Sequence, residues 1–210
     1  MRHLVFLLFV FYGFAPAGDP SFKELQARER FQEIQTHHTR LEVDQVRAKM
    51  KALAEDFPEV KGLPAFTKLA AEVAHIGKEA GTLEVEQWYQ GETTLAGANV
   101  TLLVFWESWC PHCQDEMPKI QKLFEQYQER GLNVIGLTKI TQSATMTSVL
   151  AFIGERDLTF SVGKENGSMS KYYGVEGIPA AAIVKNGIII WRGNPERISN
   201  LTIEKALANE

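Results

Sequence analysis

The sequence predicts an α/β fold, a mixed sheet with helices on both faces, preceded by an α-helical extension. From residue 83 onwards, short apolar β-branched runs alternate with amphipathic runs, which is typical of a sheet covered by helices. Asn186-Gly187 separates two of the apolar runs and predicts a hairpin, so the sheet should contain an antiparallel pair. Before residue 83, the apolar residues recur at helical spacing.

The first 17 residues have the composition of a secretory signal peptide. Arg2 precedes an apolar run over 4–14, and Ala15-Pro16-Ala17 forms an A-x-A cleavage site. The apolar run is shorter than the ~20 residues that a membrane span requires. We therefore expect residues 1–17 to direct export, with an uncleaved membrane anchor as the alternative.

Residues 18–82 form the predicted helical extension. Ser21-Phe22-Lys23-Glu24 is a capping box, and helix-compatible sequence continues to Phe57, where Pro58 ends it. Two apolar stripes in this stretch are out of phase with each other. The stretch therefore contains either one long helix or two helices that meet near His38.

Residues 20–57 allow two interpretations. A single helix would reach ~55 Å, longer than the body of a small domain, so its apolar stripe predicts an arm that forms homo-oligomers. The alternative is a helix folded back on its own domain. Thr39-Arg40-Leu41-Glu42 is a candidate second capping box. A further helix is predicted from Pro64, with Gly77 available to end it.

Residues 83–210 form the predicted sheet-containing domain. The helix over 147–156 is expected to turn Val149, Leu150 and Ile153 inward. In chain order, the other predicted elements are a strand over 85–90, a buried strand over 100–106, an amphipathic helix over 114–130, a buried strand over 133–138, a strand over 158–162, a helical turn over 168–173, a hairpin of 180–184 with 188–191, and a closing helix over 201–208.

The chain has two cysteines, Cys110 and Cys113, where a buried strand passes into a helix. Cys110 is expected at the N-cap with Pro111 at the first helical position. The free N–H groups and the positive end of the helix dipole favour the thiolate of Cys110, the form that attacks disulfides. Cys113 lies one turn later and can close a disulfide with it. His112, between them, is expected to tune this reactivity.

Other interpretations of the cysteine pair have less support. A zinc site needs about four ligands, and the sequence has no second CxxC or paired Cys/His to complete one, so no metal or other cofactor is expected. A structural disulfide across so short a loop gains little chain entropy. We interpret the pair as a redox-active dithiol. The alternative is a copper or zinc carrier, since Cu(I) accepts two thiolates, although the chain lacks a methionine-rich or histidine-rich tract.

Net charge bears on the partners of the chain. Its 22 Lys and Arg and 26 Asp and Glu give a net charge of −4, without a basic block. Nucleic acid is therefore not an expected partner.

Four motifs resemble the thioredoxin-fold proteins of the TlpA-like group, exported thiol–disulfide oxidoreductases. They are Trp106-x-x-Trp109-Cys110-x-x-Cys113, Pro118 in the following helix, Gly177-Ile178-Pro179, and Lys185-Asn186-Gly187. The resemblance covers residues 84–210 and implies a thioredoxin-like fold and a periplasmic location. It also implies a cis Pro179, an Ile178 backbone that binds the substrate chain as an added strand, and an apolar rim from Trp109.

The sequence departs from related groups in ways that narrow the resemblance. Residues 141–162 add a helix and a strand, as in the TlpA-like and peroxiredoxin branches, but Glu107 stands where a peroxiredoxin has threonine or serine. The Cys-Pro-His-Cys spacer is that of DsbA-like oxidants, yet the interval to Pro179 is too short for their helical insertion. Val104 replaces the buried aspartate of thioredoxins, which leaves Glu107 and Lys139 as candidate proton acceptors for Cys113.

The expected function is thiol–disulfide exchange with protein thiols and disulfides, coupled to a membrane-bound or soluble redox partner. A low pKa of Cys110 would favour oxidation or isomerisation of substrates, whereas the TlpA-like resemblance favours reduction. Oligomers formed through residues 20–57 would favour isomerisation, because several dithiols could then face one substrate.

Overall fold

The computed structural model describes residues 21–95, 99–141 and 144–208. The predicted signal peptide at residues 1–17 lies outside these ranges. The helices are α1 (Phe22–Thr39), α2 (Val43–Asp56), α3 (Pro64–Val73), α4 (Pro111–Tyr127), α5 (Met146–Glu155), α6 (Ser168–Tyr172) and α7 (Asn200–Leu207). The strands are β1 (Gln87–Gln90), β2 (Val100–Trp106), β3 (Leu132–Thr138), β4 (Ser161–Lys164), β5 (Ala180–Lys185) and β6 (Ile188–Gly193).

The six strands form one mixed sheet in the order β1-β4-β3-β2-β5-β6. β2 pairs in parallel with β3 and antiparallel with β5, and every residue of β2 is buried. Apolar side chains from both faces of the sheet form separate clusters, so layers pack on both sides. The predicted α/β architecture, with its inserted helix and strand α5 and β4, is confirmed.

Local sequence accounts for the hairpin and for the start of the first helix. Asn186 and Gly187 have φ angles of 51° and 76°, the left-handed conformation that a tight two-residue hairpin requires. Ser21 and Glu24 form the expected capping box, in which the Ser21 N–H donates to Glu24 Oε2 over 2.7 Å.

Residues 22–56 contain two helices that meet near His38, so of the two alternatives the pair of helices is confirmed and the single long helix is wrong. α1 ends at Thr39 and α2 begins at Val43, and Leu41 between them has a φ of 60°. The candidate second capping box is also wrong, because Thr39 is the last residue of α1 and Glu42 is itself the N-cap of α2, without a side-chain cap hydrogen bond. The apolar stripes pack against each other and against α3, in a cluster that includes Phe31, Ile34, Val46, Leu53 and Leu69. The stripe that suggested an oligomerisation arm is thus buried within one chain.

This helical unit is docked on the edge of the sheet. The N–H of Gly77 donates to Ile189 O over 2.8 Å, and the N–H of Ile189 donates to Lys78 O over 2.9 Å. The N–H of Ala80 bonds to Gly187 O over 2.7 Å, which extends the contact along β6. The segment after α3 therefore runs beside β6 in strand-like fashion.

A stacked pair of rings reinforces the docking. His38 at the end of α1 lies over Trp191 of β6, with ring centroids 5.3 Å apart, and both side chains are buried. Arg197 and Glu72 face each other nearby, with Nη1 and Oε2 3.7 Å apart. Polar as well as apolar groups are therefore buried where the helical unit meets the sheet.

Two predicted details of the inserted region are wrong. Leu150 is 41% exposed, and Phe152 takes its place in the core beside Val149 and Ile153, which are buried as expected. The strand expected over 158–162 lies at Ser161–Lys164. Within the described residues, no helix has the length and apolar character needed to cross a membrane.

Candidate active site

The site lies at the turn between β2 and α4. Cys110 is the N-cap of α4, with extended backbone angles (φ −80°, ψ 116°), and Pro111 occupies the first turn. The Cys110 N–H donates to Glu107 O over 3.1 Å, and Cys110 O accepts from the Gln114 N–H over 3.0 Å. Pro111 fits because a residue at this position has no intrahelical partner for an N–H. The turn thus places the Cys110 sulfur at the amino end of the helix.

The two sulfurs have different surroundings. Cys113 is completely buried, and Cys110 retains 5% of its surface. Burial raises the pKa of the Cys113 thiol far above its usual range, and hydrogen bonding to Cys110 raises it further. A hydrogen bond with the Glu107 backbone opposes these effects in part. Cys113 is therefore a protonated thiol at neutral pH and needs a base before it can attack.

The segment before β5 meets the cysteine pair. The Ile178–Pro179 peptide bond is cis. Cys110 Sγ lies 3.8 Å from the carbonyl oxygen of Ile178, and both Ile178 and Pro179 are half-buried. The sequence motifs at 110–113 and 177–179, far apart along the chain, are therefore adjacent in space.

A buried arginine that sequence analysis did not identify anchors this segment. Arg192 of β6 donates from Nε to Tyr173 O over 2.9 Å and from Nη2 to Gly174 O over 3.3 Å. These carbonyls belong to the start of the loop that leads to Pro179. An arginine next to the predicted strand at 188–191 gives no sequence signal for such a role.

Glu107 is the carboxylate beside the cysteine turn. It is 5% exposed, and its Oε2 accepts from Trp109 Nε1 over 2.7 Å and from the hydroxyl of Thr141. Val104, where thioredoxins have a buried aspartate, is completely buried in the apolar core. Of the two candidate proton acceptors, Lys139 lies half-buried after β3. Only Glu107 has a carboxylate in the turn itself.

His112 and Pro111 are both exposed on the first turn of α4. A role for them in tuning Cys110 stays a prediction. Trp109 is half-buried against the core, held by its hydrogen bond to Glu107.

A groove of about 390 Å³ lies beside Trp109 and separates it from α5. Its wall includes Ser108 and Ser148, whose hydroxyl oxygens are 3.3 Å apart. Gln114 also lines the groove, and its Nε2 donates to Ser108 O over 2.7 Å. The inserted helix α5 thus forms one side of the active-site region, which spacing along the sequence could not indicate. Within the described ranges, no group of three or more His, Cys, Asp or Glu side chains is arranged to hold a metal ion.

Comparison with known proteins identifies the family. The AhpC/TSA family matches residues 76–192, more than half of the chain. A thiol-disulfide oxidoreductase ResA of Oceanobacillus iheyensis is 35% identical over 108 residues, which cover 50% of this chain and 54% of that protein. A ResA of Bacillus thuringiensis subsp. konkukian is 33% identical over 136 residues, covering 60% of this chain and 72% of the relative.

The chain thus spans about half of the first relative's length and nearly three quarters of the second's. A crystal structure described as a thiol:disulfide interchange protein DsbE from Chlorobium tepidum superposes with a TM-score of 0.56 at 22% identity, covering 63% of this chain and 98% of that one. This likeness shows the thioredoxin-like fold. The chain therefore belongs to the AhpC/TSA family, among its thiol-disulfide oxidoreductases.

Proposed function

We propose that this chain is an exported oxidoreductase that reduces disulfides in protein substrates. Cys110 is the attacking sulfur, Cys113 the resolving sulfur, and the Ile178–Pro179 segment binds the substrate chain. The observation that carries the proposal is the convergence of Cys110 Sγ on Ile178 O, 3.8 Å away, with the Cys113 thiol directly behind it in the helix. A substrate strand paired with the Ile178 backbone would bring its disulfide to Cys110.

In the proposed reaction, the Cys110 thiolate attacks one sulfur of the substrate disulfide, and the other substrate sulfur leaves as a thiolate. Cys113 then loses its proton and attacks Cys110, which releases the second substrate sulfur. The chain gains a Cys110–Cys113 disulfide and the substrate gains two thiols. A redox partner must then return two electrons to the chain.

The TlpA-like resemblance, which favours reduction, supports that direction. The reduction potential decides it, because it reports how far the reduced form of the dithiol is stabilised. Isomerisation by an oligomer has less support, because the apolar stripes of residues 20–57 are buried within one chain. We therefore propose that the chain acts without an oligomerisation arm, which sedimentation of the purified protein tests.

Export is proposed from residues 1–17, whose basic residue, apolar run and A-x-A site are those of a signal peptide. A periplasmic or extracellular chain would meet substrates that hold disulfides. Expression of the full chain in bacteria, followed by fractionation and determination of the N-terminal residue, tests this part. Retention in the cytoplasm with an intact N-terminus would contradict it.

Insulin reduction tests the activity, with Cys110→Ala and Cys113→Ser as paired variants. The wild type should reduce insulin, the first variant should be inactive, and the second should accumulate a mixed disulfide with the substrate. The reduction potential, measured against glutathione, tests the direction. A value near that of thioredoxin, about −270 mV, supports a reductant, and a value near that of DsbA, about −120 mV, would make the chain an oxidant. Tight Cu(I) binding without insulin turnover would instead indicate a metal carrier.

A further inference from the structure

The resolving step in the proposed function needs a base that the structure places in an unusual position. Cys113 is buried without any exposed surface, so bulk water cannot take its proton directly. The position that holds a carboxylate in thioredoxins is occupied here by Val104, a buried apolar residue of β2. A carboxylate from a different position must serve if the step uses one.

Two buried carboxylates lie close to Cys113 along the chain, Glu107 in the turn before α4 and Glu116 one turn after Cys113. Glu116 is ion-paired with Lys119, its Oε2 lying 2.9 Å from Nζ. Among the residues that the structure describes, Glu107 has no such cation; its hydrogen bonds come from the neutral indole of Trp109 and the hydroxyl of Thr141. A carboxylate held by neutral donors is a better proton acceptor than one paired with an ammonium group.

Glu107 also contacts the cysteine turn directly. Its backbone carbonyl accepts the Cys110 N–H over 3.1 Å, and its backbone hydrogen-bonds to the Cys113 sulfur. The charge of the Glu107 carboxylate raises the pKa of the Cys113 thiol. Removing a proton from Cys113 would therefore be easiest if that carboxylate received the proton, since transfer leaves one negative charge in the turn instead of two.

We propose that Glu107 is the proton acceptor for Cys113 in the resolving step, and that Thr141 and Trp109 hold it in position. This inference rests on the proposed function. The starting state is the mixed disulfide between Cys110 and the substrate. The Cys113 proton moves to Glu107 Oε1, because the two neutral donors both bond to Oε2. The Cys113 sulfur attacks Cys110, the Cys110–substrate bond breaks, and the substrate sulfur leaves as a thiolate that solvent protonates.

The arrangement links the turn to the inserted region. Thr141 belongs to the connection between β3 and α5, and its hydroxyl reaches across to Glu107. The other titratable groups at 110–116 and 138–141, the two segments that meet at Glu107, are Cys110, His112, Cys113, Asp115, Glu116 and Lys139. A pH profile of the resolving step must therefore be compared between variants and not interpreted in the wild type alone.

The test uses the full chain and a symmetric aromatic disulfide, dithiobis-nitrobenzoate, whose released thiolate is coloured. Attack by Cys110 releases one coloured thiolate, and attack by Cys113 on the mixed disulfide releases the second. The readout is the ratio of the second rate to the first, followed by stopped flow across pH. Two thiolates released per chain, and only one from Cys113→Ser, would establish the dithiol chemistry independently of Glu107. Failure to release either would count against the proposed function.

Glu107→Gln keeps the size of the side chain and an acceptor for Trp109 but cannot take a proton. We expect the rate ratio to fall about 100-fold at neutral pH, the contribution typical of a positioned general base. Glu129→Gln, the same change at an exposed residue beyond the far end of α4, should leave the ratio unchanged. An unchanged rate ratio in Glu107→Gln would overturn the assignment. If Glu116→Gln lowered the ratio instead, Glu116 would be the proton acceptor.

Thr141→Val provides a second test that does not depend on the stability of the first variant. It removes a donor that stabilises the charged carboxylate, so the pH at which the second phase accelerates should move upward. A role for Thr141 in folding alone would leave that pH where it is. An unmoved profile in Thr141→Val would overturn the proposed arrangement.

Discussion

His38 makes the docking of the helical unit depend on pH. Its ring is 1% exposed and stacks on Trp191, and neither ring nitrogen makes a hydrogen bond of normal geometry within the described residues. Burial, together with the charge of Arg197, lowers the pKa of His38 from 6.5 to about 4, although the nearby Arg192 backbone partly opposes this. The folded chain therefore holds His38 in its neutral form over a range in which the unfolded chain is protonated.

The sign and size of the effect follow from this shift. As pH falls below 6.5, His38 binds a proton in the unfolded state but stays neutral in the folded state. The contribution of His38 to stability is therefore complete above pH 6.5 and is lost progressively down to about pH 4. At about 1.4 kcal/mol per pKa unit, the loss amounts to about 3 kcal/mol. Glu72 acts in the opposite sense, because burial raises its pKa and its protonation in the folded state adds stability as pH falls.

A comparison with His38→Phe isolates the histidine from Glu72 and the other carboxyl groups. Phenylalanine can keep the stack on Trp191 and has no charge to gain. Urea unfolding of both proteins between neutral pH and pH 4 gives the difference in their free energies of unfolding. We expect this difference to change by about 3 kcal/mol in favour of the variant as pH falls. Parallel pH dependences in the two proteins would refute the reasoning.

Two matched pairs of substitutions and one single substitution test packing and the support of the site, all by thermal or urea unfolding and the last also by insulin reduction. Ile34→Ala, in the completely buried centre of the helical unit, should cost about 2–5 kcal/mol, whereas Leu25→Ala, 44% exposed on α1, should change stability by less than about 0.5 kcal/mol. Gly163→Ala should cost about 1–3 kcal/mol, because its Cβ would lie 2.6 Å from a Val85 methyl, and Gly154→Ala in α5, with open space around it, should stabilise by about 0.5–1 kcal/mol. Arg192→Met should cost about 3 kcal/mol and slow insulin reduction, since buried backbone carbonyls near the Pro179 loop lose their donor. Equal effects within either matched pair, or unchanged turnover in the arginine variant, would contradict these expectations.

Features fixed by neighbouring residues could be predicted from the sequence. The N-cap position of Cys110, the start of α4 at Pro111 and the hairpin at Asn186-Gly187 each depend on a few adjacent residues. The pairing of Cys110 with the Ile178–Pro179 segment could be expected only through family resemblance, because 68 residues separate the atoms in contact.

Features decided by tertiary contact could not be predicted. The phase change between the apolar stripes offered a break near His38 as one alternative but could not decide for it, since the break occurs at Leu41, a residue type that seldom adopts a positive φ and so gives no local signal of a turn. One residue expected on the inward side of α5 is wrong, because Phe152, and not Leu150, fills the space beside Trp106. Thr141 reaches Glu107 across 34 positions, and nothing in its own surroundings along the chain indicates this.

The strand-like segment Gly77–Ala80 has a consequence for solubility. Without it, β6 would present a row of unpaired amide and carbonyl groups at the border of the sheet, a template on which a second molecule could add its own strand. The opposite border is β1, which is only four residues long. The Gly77–Ala80 segment therefore protects this border from self-assembly, and a chain shortened to begin after residue 80 would be prone to aggregate even if its dithiol still worked.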